Sequence, residues 1–482
     1  MPSFTTQVTK QKGENMDKDR GDQDDMQEGS ATEHPRVVSR REFLKMAGAA
    51  GAVVGLGAGL GGLVAACGEE AETTTTVSAG AEAGREIKVG FVDALTGSIA
   101  DFGVAGQYCA ERWREAVADG LVCGDGKNHP VTILVEDSQS DTNRAASVTG
   151  GLVTQDKCDF IMAAASPDTV NPVADQCEAF ETPCLTVDSP MESYFFGRNG
   201  DPANPFKWTY HIFWGMWEIS DNSFSLWDQV ETNKKVGILW PNNVDGNAYR
   251  AYYPEKIAAR GYTMVDGGSY NEPSEDFTEQ ISTFKKEGCE IVQGVIIPPD
   301  WTNFWTQAKQ QGFNPKVAEP IKPTLFPAAM EALGELGDGL CGPMWFHPTF
   351  PFKSSLTGET AQEMCDDFEK RKAMQWQQPI LHYVAFEWVV DVLKRTTNVD
   401  DKEEIMQRVR ETNMPMTIAG PIDFTAPLAD RTKHVVPNVA ACELYGGQWR
   451  LSNGGKYMYD LFVVSNAAAP SIKVQDALKP LA

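Results

Sequence analysis

Ser166 and Thr169 stand directly before an apolar stretch, 170–180, whose spacing predicts a helix. A helix start carries unpaired backbone N–H groups and the positive end of the helix dipole, so hydroxyls placed there can help to hold an anion. The same two residues can instead cap the helix, a role worth about 1 kcal/mol. Taken by themselves the residues leave both roles open. Covalent and metal chemistry has weaker support. No G-x-S-x-G elbow and no H-E-x-x-H pair occurs. Gly124-Asp125-Gly126-Lys127 lacks the spacing and the following Ser/Thr of a phosphate loop and reads as a turn. Residues 137–143 have acidic spacing reminiscent of a calcium loop, but Thr142 occupies the position that needs glycine and no glutamate closes it. The six histidines are scattered, and His129, His347 and His434 lie beside or near prolines. The expectation is a chain that is not an enzyme and uses neither metal nor cofactor.

A second group of residues concerns location. Ser39-Arg40-Arg41-Glu42-Phe43-Leu44-Lys45 sets paired arginines before an uncharged run of Gly, Ala, Val and Leu, and Val64-Ala65-Ala66-Cys67 closes it. This resembles a twin-arginine export signal ending in a lipobox, with Arg40 and Arg41 as the signal and Cys67 as the lipidated residue. The alternative is an uncleaved membrane-spanning helix. Acyl chains contribute about 0.8 kcal/mol per buried methylene, so two or three would hold a domain on a membrane. The expected location is periplasmic, or on the outer face of the cytoplasmic membrane.

The 482 residues carry a formal charge of -25. An excess of that sign excludes phosphate neutralisation as the basis of binding, so no nucleic-acid partner is expected. Ten cysteines suit an extracytoplasmic chain. With Cys67 lipidated nine remain, an odd number with no C-x-x-C, which points to structural disulfides or buried thiols. Cys158 and Cys184 each open an expected strand and could meet if those strands are parallel neighbours.

Strands and helices alternate from residue 87 onward. Strands are expected at 87–92, 131–135, 160–163 and 184–187, with helices at 106–119, 143–154 and 170–180 between and after them. An aromatic bridge at 207–217 holds Trp208, Tyr210, Phe213, Trp214 and Trp217. The pattern then restarts, with strands at 236–240, 264–269 and 291–297, helices at 248–260 and 277–286, and later helices at 381–395 and 400–410. The fold class is therefore α/β: two doubly wound lobes, a hinge and a central cleft. The expected division is 1–66 for the charged n-region and signal, 67–84 for an anchored linker, 85–207 for the first lobe and 208–341 for the second. Residues 342–420 return to the first lobe, and 421–482 return to the second and extend beyond it.

Ligands of doubly wound sheets sit outside the carboxyl ends of the strands. The loops at those ends are Thr96-Gly97-Ser98, Ala165-Ser166-Pro167-Asp168-Thr169, Asp188-Ser189-Pro190, residues 242–247 with Asp245, and Pro298-Pro299-Asp300-Trp301. Aromatic side chains, with Trp214 foremost, suit a flat or apolar ligand body, although core and hinge packing also claims such residues.

Residues 87–103, with Leu95-Thr96-Gly97 and Phe102-Gly103, open a longer pattern. It continues through Glu136-Asp137-Ser138-Gln139-Ser140-Asp141, the Ala165-Ser166 loop, 234–246, Asp276-Phe277, 307–312 and Gly420-Pro421. In order and spacing these segments resemble the type I periplasmic binding proteins of the branched-chain amino acid and amide group, the receptors of ABC importers. The resemblance implies a ligand carboxylate held at Ala165, Ser166, Asp188 and Ser189. Thr96, Thr169, Trp214, Asp245, Asp300 and Lys322 complete the expected ligand-binding set. It also implies an acidic second-lobe residue opposite a ligand ammonium. The matching segment is Ala318-Glu319-Pro320-Ile321-Lys322-Pro323, where Glu319 or Lys322 faces the cleft; Lys322 in that place favours an anionic or neutral ligand, while a solvated loop lysine is the other reading. The implied function is a lipid-anchored solute-binding protein that takes up a small amino acid, amide or aromatic carboxylate by lobe closure and delivers it to an ABC permease. The alternative is a sensor that presents the ligand to a membrane receptor or kinase.

Overall fold

A computed structural model describes residues 80–432, 436–467 and 471–481. The export signal, with Arg40, Arg41 and Cys67, lies outside the described residues, as does most of the linker.

Ile87–Asp93 is buried along almost its whole length. A strand apolar on both faces needs cover on both, which a parallel sheet between helices provides. The first sheet is parallel and six-stranded. Its spatial order is Val439–Ala440, Thr209–Ile212, Cys184–Val187, Phe160–Ala163, Ile87–Asp93 and Val131–Asp137. Phe160 and Met162 face one core, while Ile161 and Ala163 face another, as the two-residue period of a strand requires. The helices Thr142–Thr154 and Pro167–Ala179 pack against each other, and Asp101–Ala116 packs against Tyr383–Arg395. Gly106 permits the close approach of Asp101–Ala116, because a Cβ there would come within 1.6 Å of Asp93 Oδ2.

The second sheet is also parallel, in the order Val317–Pro320, Ile291–Gly294, Lys235–Leu239 and Thr263–Asp266. Its end strand lies beside an antiparallel sheet of Cys341–Met344, Tyr445–Leu451 and Tyr459–Ser465. In both parallel sheets the first strand in sequence sits inside the sheet, with later strands added on either side. Strand order therefore reverses there, and a crevice opens at the carboxyl ends.

Three expectations need correction. The aromatic bridge contains the strand Thr209–Ile212, which pairs with Cys184–Val187, so the passage into the second lobe comes after that strand and not at 208. Val439–Ala440 returns to the first sheet, so 421–482 does not belong wholly to the second lobe. Cys184 does not meet Cys158; its thiol lies against that of Cys177, and all nine described cysteines are buried free thiols. The turn that follows Pro167–Ala179 produces this contact, with Thr182 N–H donating to the Cys177 carbonyl at 3.0 Å before the chain enters the next strand.

Candidate functional site

The carboxyl ends of the two parallel sheets meet around a small cavity of about 20 Å³. Phe102, Ala165, Pro167, Asp188 and Pro190 form its first-lobe wall. Asp245, Tyr249, Val295, Ile321 and Lys322 form the opposite wall. Phe213, Trp214 and Trp345 close it from the connecting segments. A more polar mouth lies outside, lined in part by Ser98, Ser166, Asp168, Asn242 and Glu272, and Lys322 borders both spaces.

Local sequence explains how each wall is placed. Pro167 at the start of its helix has a φ suited to the first turn and no N–H to leave unpaired. Asn243 caps Val244–Ala259 by accepting from Gly246 N–H at 2.9 Å, which orients Asp245 in the first turn. The start of this helix packs on Pro167–Ala179 and Met191–Phe195, and Ser193 Oγ donates to Asp245 Oδ1 at 3.2 Å across the lobes. Ala165 and Asp188, both at strand ends on the cavity, have φ of 98° and 69°. Such conformations cost a non-glycine residue on the order of 1–3 kcal/mol and concentrate at binding sites.

Two charge relationships organise the walls. Lys322 Nζ lies 2.9 Å from Asp245 Oδ2, and both residues are buried, at 6% and 1% exposure. Burial pulls the Lys322 ammonium down, but the carboxylates of Asp245, Glu272 and Asp168 outweigh it and hold its pKa above that of an ordinary lysine. Burial raises Asp168, and it pushes Glu272 up to about 7 against the pull of Lys322. On the first-lobe side His382 Nε2 and Asp188 Oδ2 are 2.8 Å apart. Burial pushes His382 down to about 3 and Asp188 well above the usual carboxylate range, with the Asp93 charge adding to the effect on Asp188. Both shifts favour the uncharged forms of the two groups.

The structure gathers part of the expected set. Ala165, Asp188, Trp214, Asp245 and Lys322 line the cavity, and Ser166 lines the mouth. Ser166 is the N-cap residue, yet its side chain makes no capping bond. Thr169 lies inside the first turn, and its hydroxyl donates to the Ser166 carbonyl at 3.1 Å. Ser189 is buried, but it is not a wall residue, and its carbonyl accepts from His211. Thr96 is exposed and tied to Asp137 through its N–H and its hydroxyl. Asp300 accepts from Ser274 N–H and is not a wall residue; its helix, Pro298–Gln310, begins where a loop was expected. Lys322 is no solvated loop lysine. Glu319 is the residue turned away from the cleft, fully buried and accepting from Ser223 Oγ and Trp227 Nε1 at 2.8 Å each.

Other wall residues were not anticipated. Phe102 stood in the opening motif, but neither it nor Trp345 was expected at the cavity. Tyr249 shares a helix face with Tyr253, and their rings stack at 4.8 Å. His382 gave no local signal, because its partner Asp188 is distant in sequence.

Comparisons with known proteins agree with this fold. A family model described as periplasmic binding protein matches residues 86–448. A model of the twin-arginine translocation signal sequence matches 37–57. Among solved structures, a leucine binding protein, LivK, from Thermotoga maritima is 16% identical with a TM-score of 0.64, covering 79% of this chain and 99% of its own. LivJ, a branched-chain amino acid transporter substrate binding protein from Streptococcus pneumoniae in complex with isoleucine, is 17% identical with a TM-score of 0.60, covering 78% and 99%. A solute binding protein of an ABC transporter from Rhodopseudomonas palustris, in complex with 3,4-dihydroxybenzoic acid, is 15% identical with a TM-score of 0.62, covering 81% and 99%.

Proposed function

The chain belongs to the periplasmic binding protein family, and on that premise we propose that it is the solute-binding component of an ABC importer, exported by the twin-arginine route and anchored through a lipid on Cys67. The observation that carries this reading is the cavity at the facing carboxyl ends of two parallel sheets, with walls drawn from both lobes. A ligand in such a space touches both lobes only when they are closed. It therefore stabilises the closed form by its differential affinity, and a permease can distinguish that form from the open one. The solute belongs among small amino acids, amides and aromatic carboxylates. Related structures hold isoleucine in one case and 3,4-dihydroxybenzoic acid in another, so ligands with and without an ammonium occur on this fold.

A thermal-shift screen of the purified chain against such compounds tests the reading. A solute that binds only the folded state raises its stability by RT ln(1 + [L]/Kd), so a true ligand at 100 times its Kd adds about 2.7 kcal/mol. A panel that shifts nothing counts against solute binding at this cleft.

A further inference from the structure

At about 20 Å³ the cavity between the lobes has room for about one water and for no larger solute. The wider mouth, about 380 Å³, lies outside it, and Lys322 is a wall of both. The Lys322 ammonium lies 2.9 Å from Asp245 Oδ2, and Glu272 and Asp168 add their charge to that of Asp245. Asp245 and Glu272 follow strands of the second sheet, as Lys322 does, whereas Asp168 follows a strand of the first. The ammonium is therefore attracted across the lobe boundary as well as within its own lobe.

The three carboxylates have the opposite tendency. Asp168 is repelled by Asp245, and Glu272 by Asp168. Like charges brought together from two lobes push them apart unless a cation stands between, and in a buried place that repulsion is weakly screened. Lys322 is that cation.

Protein atoms alone make the other contacts at this boundary. Asp168 accepts from Val244 N–H at the start of Val244–Ala259, and Ser193 Oγ donates to Asp245 Oδ1 at 3.2 Å. The Phe196 and Tyr252 rings meet across the lobes with centroids 6.5 Å apart. Gly197 fits so closely that a Cβ on it would come within 2.8 Å of Val244 Cγ1. One helix start is thus docked on the first lobe by charge, hydrogen bonds and shape.

We propose that the space between the lobes is an ammonium site filled by the chain's own Lys322, which holds the lobes closed before a solute arrives, so that a solute enters only as this contact breaks. The device goes beyond the solute-binding reading and does not depend on which solute the cleft takes. Opening then precedes binding, and the apparent affinity for any solute is lowered by the fraction of chains that are open.

Chemical rescue tests it. Lys322→Ala removes the side chain beyond Cβ, a gap with the composition of n-propylammonium. Small-angle X-ray scattering on the purified full chain, with no solute added, reads closure. Lys322→Ala should show a larger radius of gyration than the parent and a lower melting temperature. Added n-propylammonium chloride should restore both, whereas 1-propanol and sodium chloride at the same concentration should not. Should Lys322→Ala fail to fold, the paired change Lys322→Met with Asp245→Asn removes the cation without stranding its partner, and should show the same expansion. A radius of gyration equal to that of the parent in every folded variant overturns the proposal. So does recovery of Lys322→Ala by n-propylammonium no greater than by 1-propanol. These readouts use no solute, so a solute panel that shifts nothing would remove the solute-binding reading and leave this one standing.

Discussion

Lys322 Nζ and Asp245 Oδ2 are 2.9 Å apart in the wall of the cavity, and both side chains are buried. A buried ion pair adds little net stability compared with a well-packed apolar pair, but stranding one partner typically costs about 3–5 kcal/mol. Lys322→Ala should therefore destabilise the chain by about that amount in urea titration. Lys322→Met combined with Asp245→Asn should recover most of the loss. Equal destabilisation in the single and paired variants would show that packing, not charge, holds this wall. Lys322→Glu would crowd Asp245, Glu272 and Asp168 with a fourth carboxylate, so its first effect should be on folding.

Ser166 and Asp141 make a controlled comparison. Asp141 caps Thr142–Thr154, accepting from Arg144 N–H at 2.7 Å, whereas the Ser166 side chain caps nothing. Asp141→Ala should cost about 1 kcal/mol of stability. Ser166→Ala should leave stability within about 0.5 kcal/mol and, if the solute reaches the mouth, weaken binding by about 0.5–1.5 kcal/mol. A large stability loss in Ser166→Ala would restore the capping reading.

Glu319 predicts a pH dependence with a definite sign. Burial pushes this carboxyl up to about 8, from 4.5, even though Ser223 and Trp227 donate to it. Between those values the folded chain keeps a proton that the unfolded chain releases. The associated stability is full below about pH 4.5 and is lost as pH rises through 8. Asp93 and Glu387, each pushed by burial to about 7, act in the same direction. Melting temperature should fall between about pH 7 and pH 8.5, above the range in which the buried His211, His347 and His382, whose pKa values burial lowers, act in the opposite direction. Glu319→Gln should flatten that fall; an identical slope in the variant would rule out Glu319 as a contributor.

Gly106 should tolerate no side chain. Its Cβ would fall within 1.6 Å of Asp93 Oδ2, and Asp93 is fully buried. Gly106→Ala should destabilise the chain by about 1–3 kcal/mol, although alanine is the better helix former. Stabilisation by the usual helix-propensity increment would contradict this packing.

Export and anchoring rest on residues outside the described structure. Replacing Arg40 and Arg41 by lysine should leave precursor in the cytoplasm, and Cys67→Ser should abolish incorporation of labelled fatty acid. Export of the lysine variant at the level of the parent, or an unlabelled parent chain, would remove the corresponding assignment.

Local periodicity determined much of this protein in advance. The runs at 87–92, 160–163 and 184–187 are apolar on both faces, so only a covered parallel sheet could use them, and the loops at their carboxyl ends had to carry the site. Ala165, Asp188 and Asp245 could be found on that ground, as could the export signal, which is contiguous in sequence. Thr209-Tyr210-His211-Ile212 had the branched and aromatic content of a strand, but the surrounding tryptophans masked it as a bridge. Tertiary structure alone decided the rest. Whether Lys322 or Glu319 faces the cleft depends on three residues of register at the end of Val317–Pro320. That register is set by pairing with Ile291–Gly294, and not by the segment's own composition. His382 joins Asp188 because the helix Tyr383–Arg395 folds back on the first lobe. Asp300 leaves the cleft because the segment expected as a loop is the first turn of a helix, and its carboxylate accepts from Ser274 N–H. Periodicity is a property of neighbours along the chain, whereas burial and charge pairing belong to whichever segments converge in space; only the folded chain decides which those are.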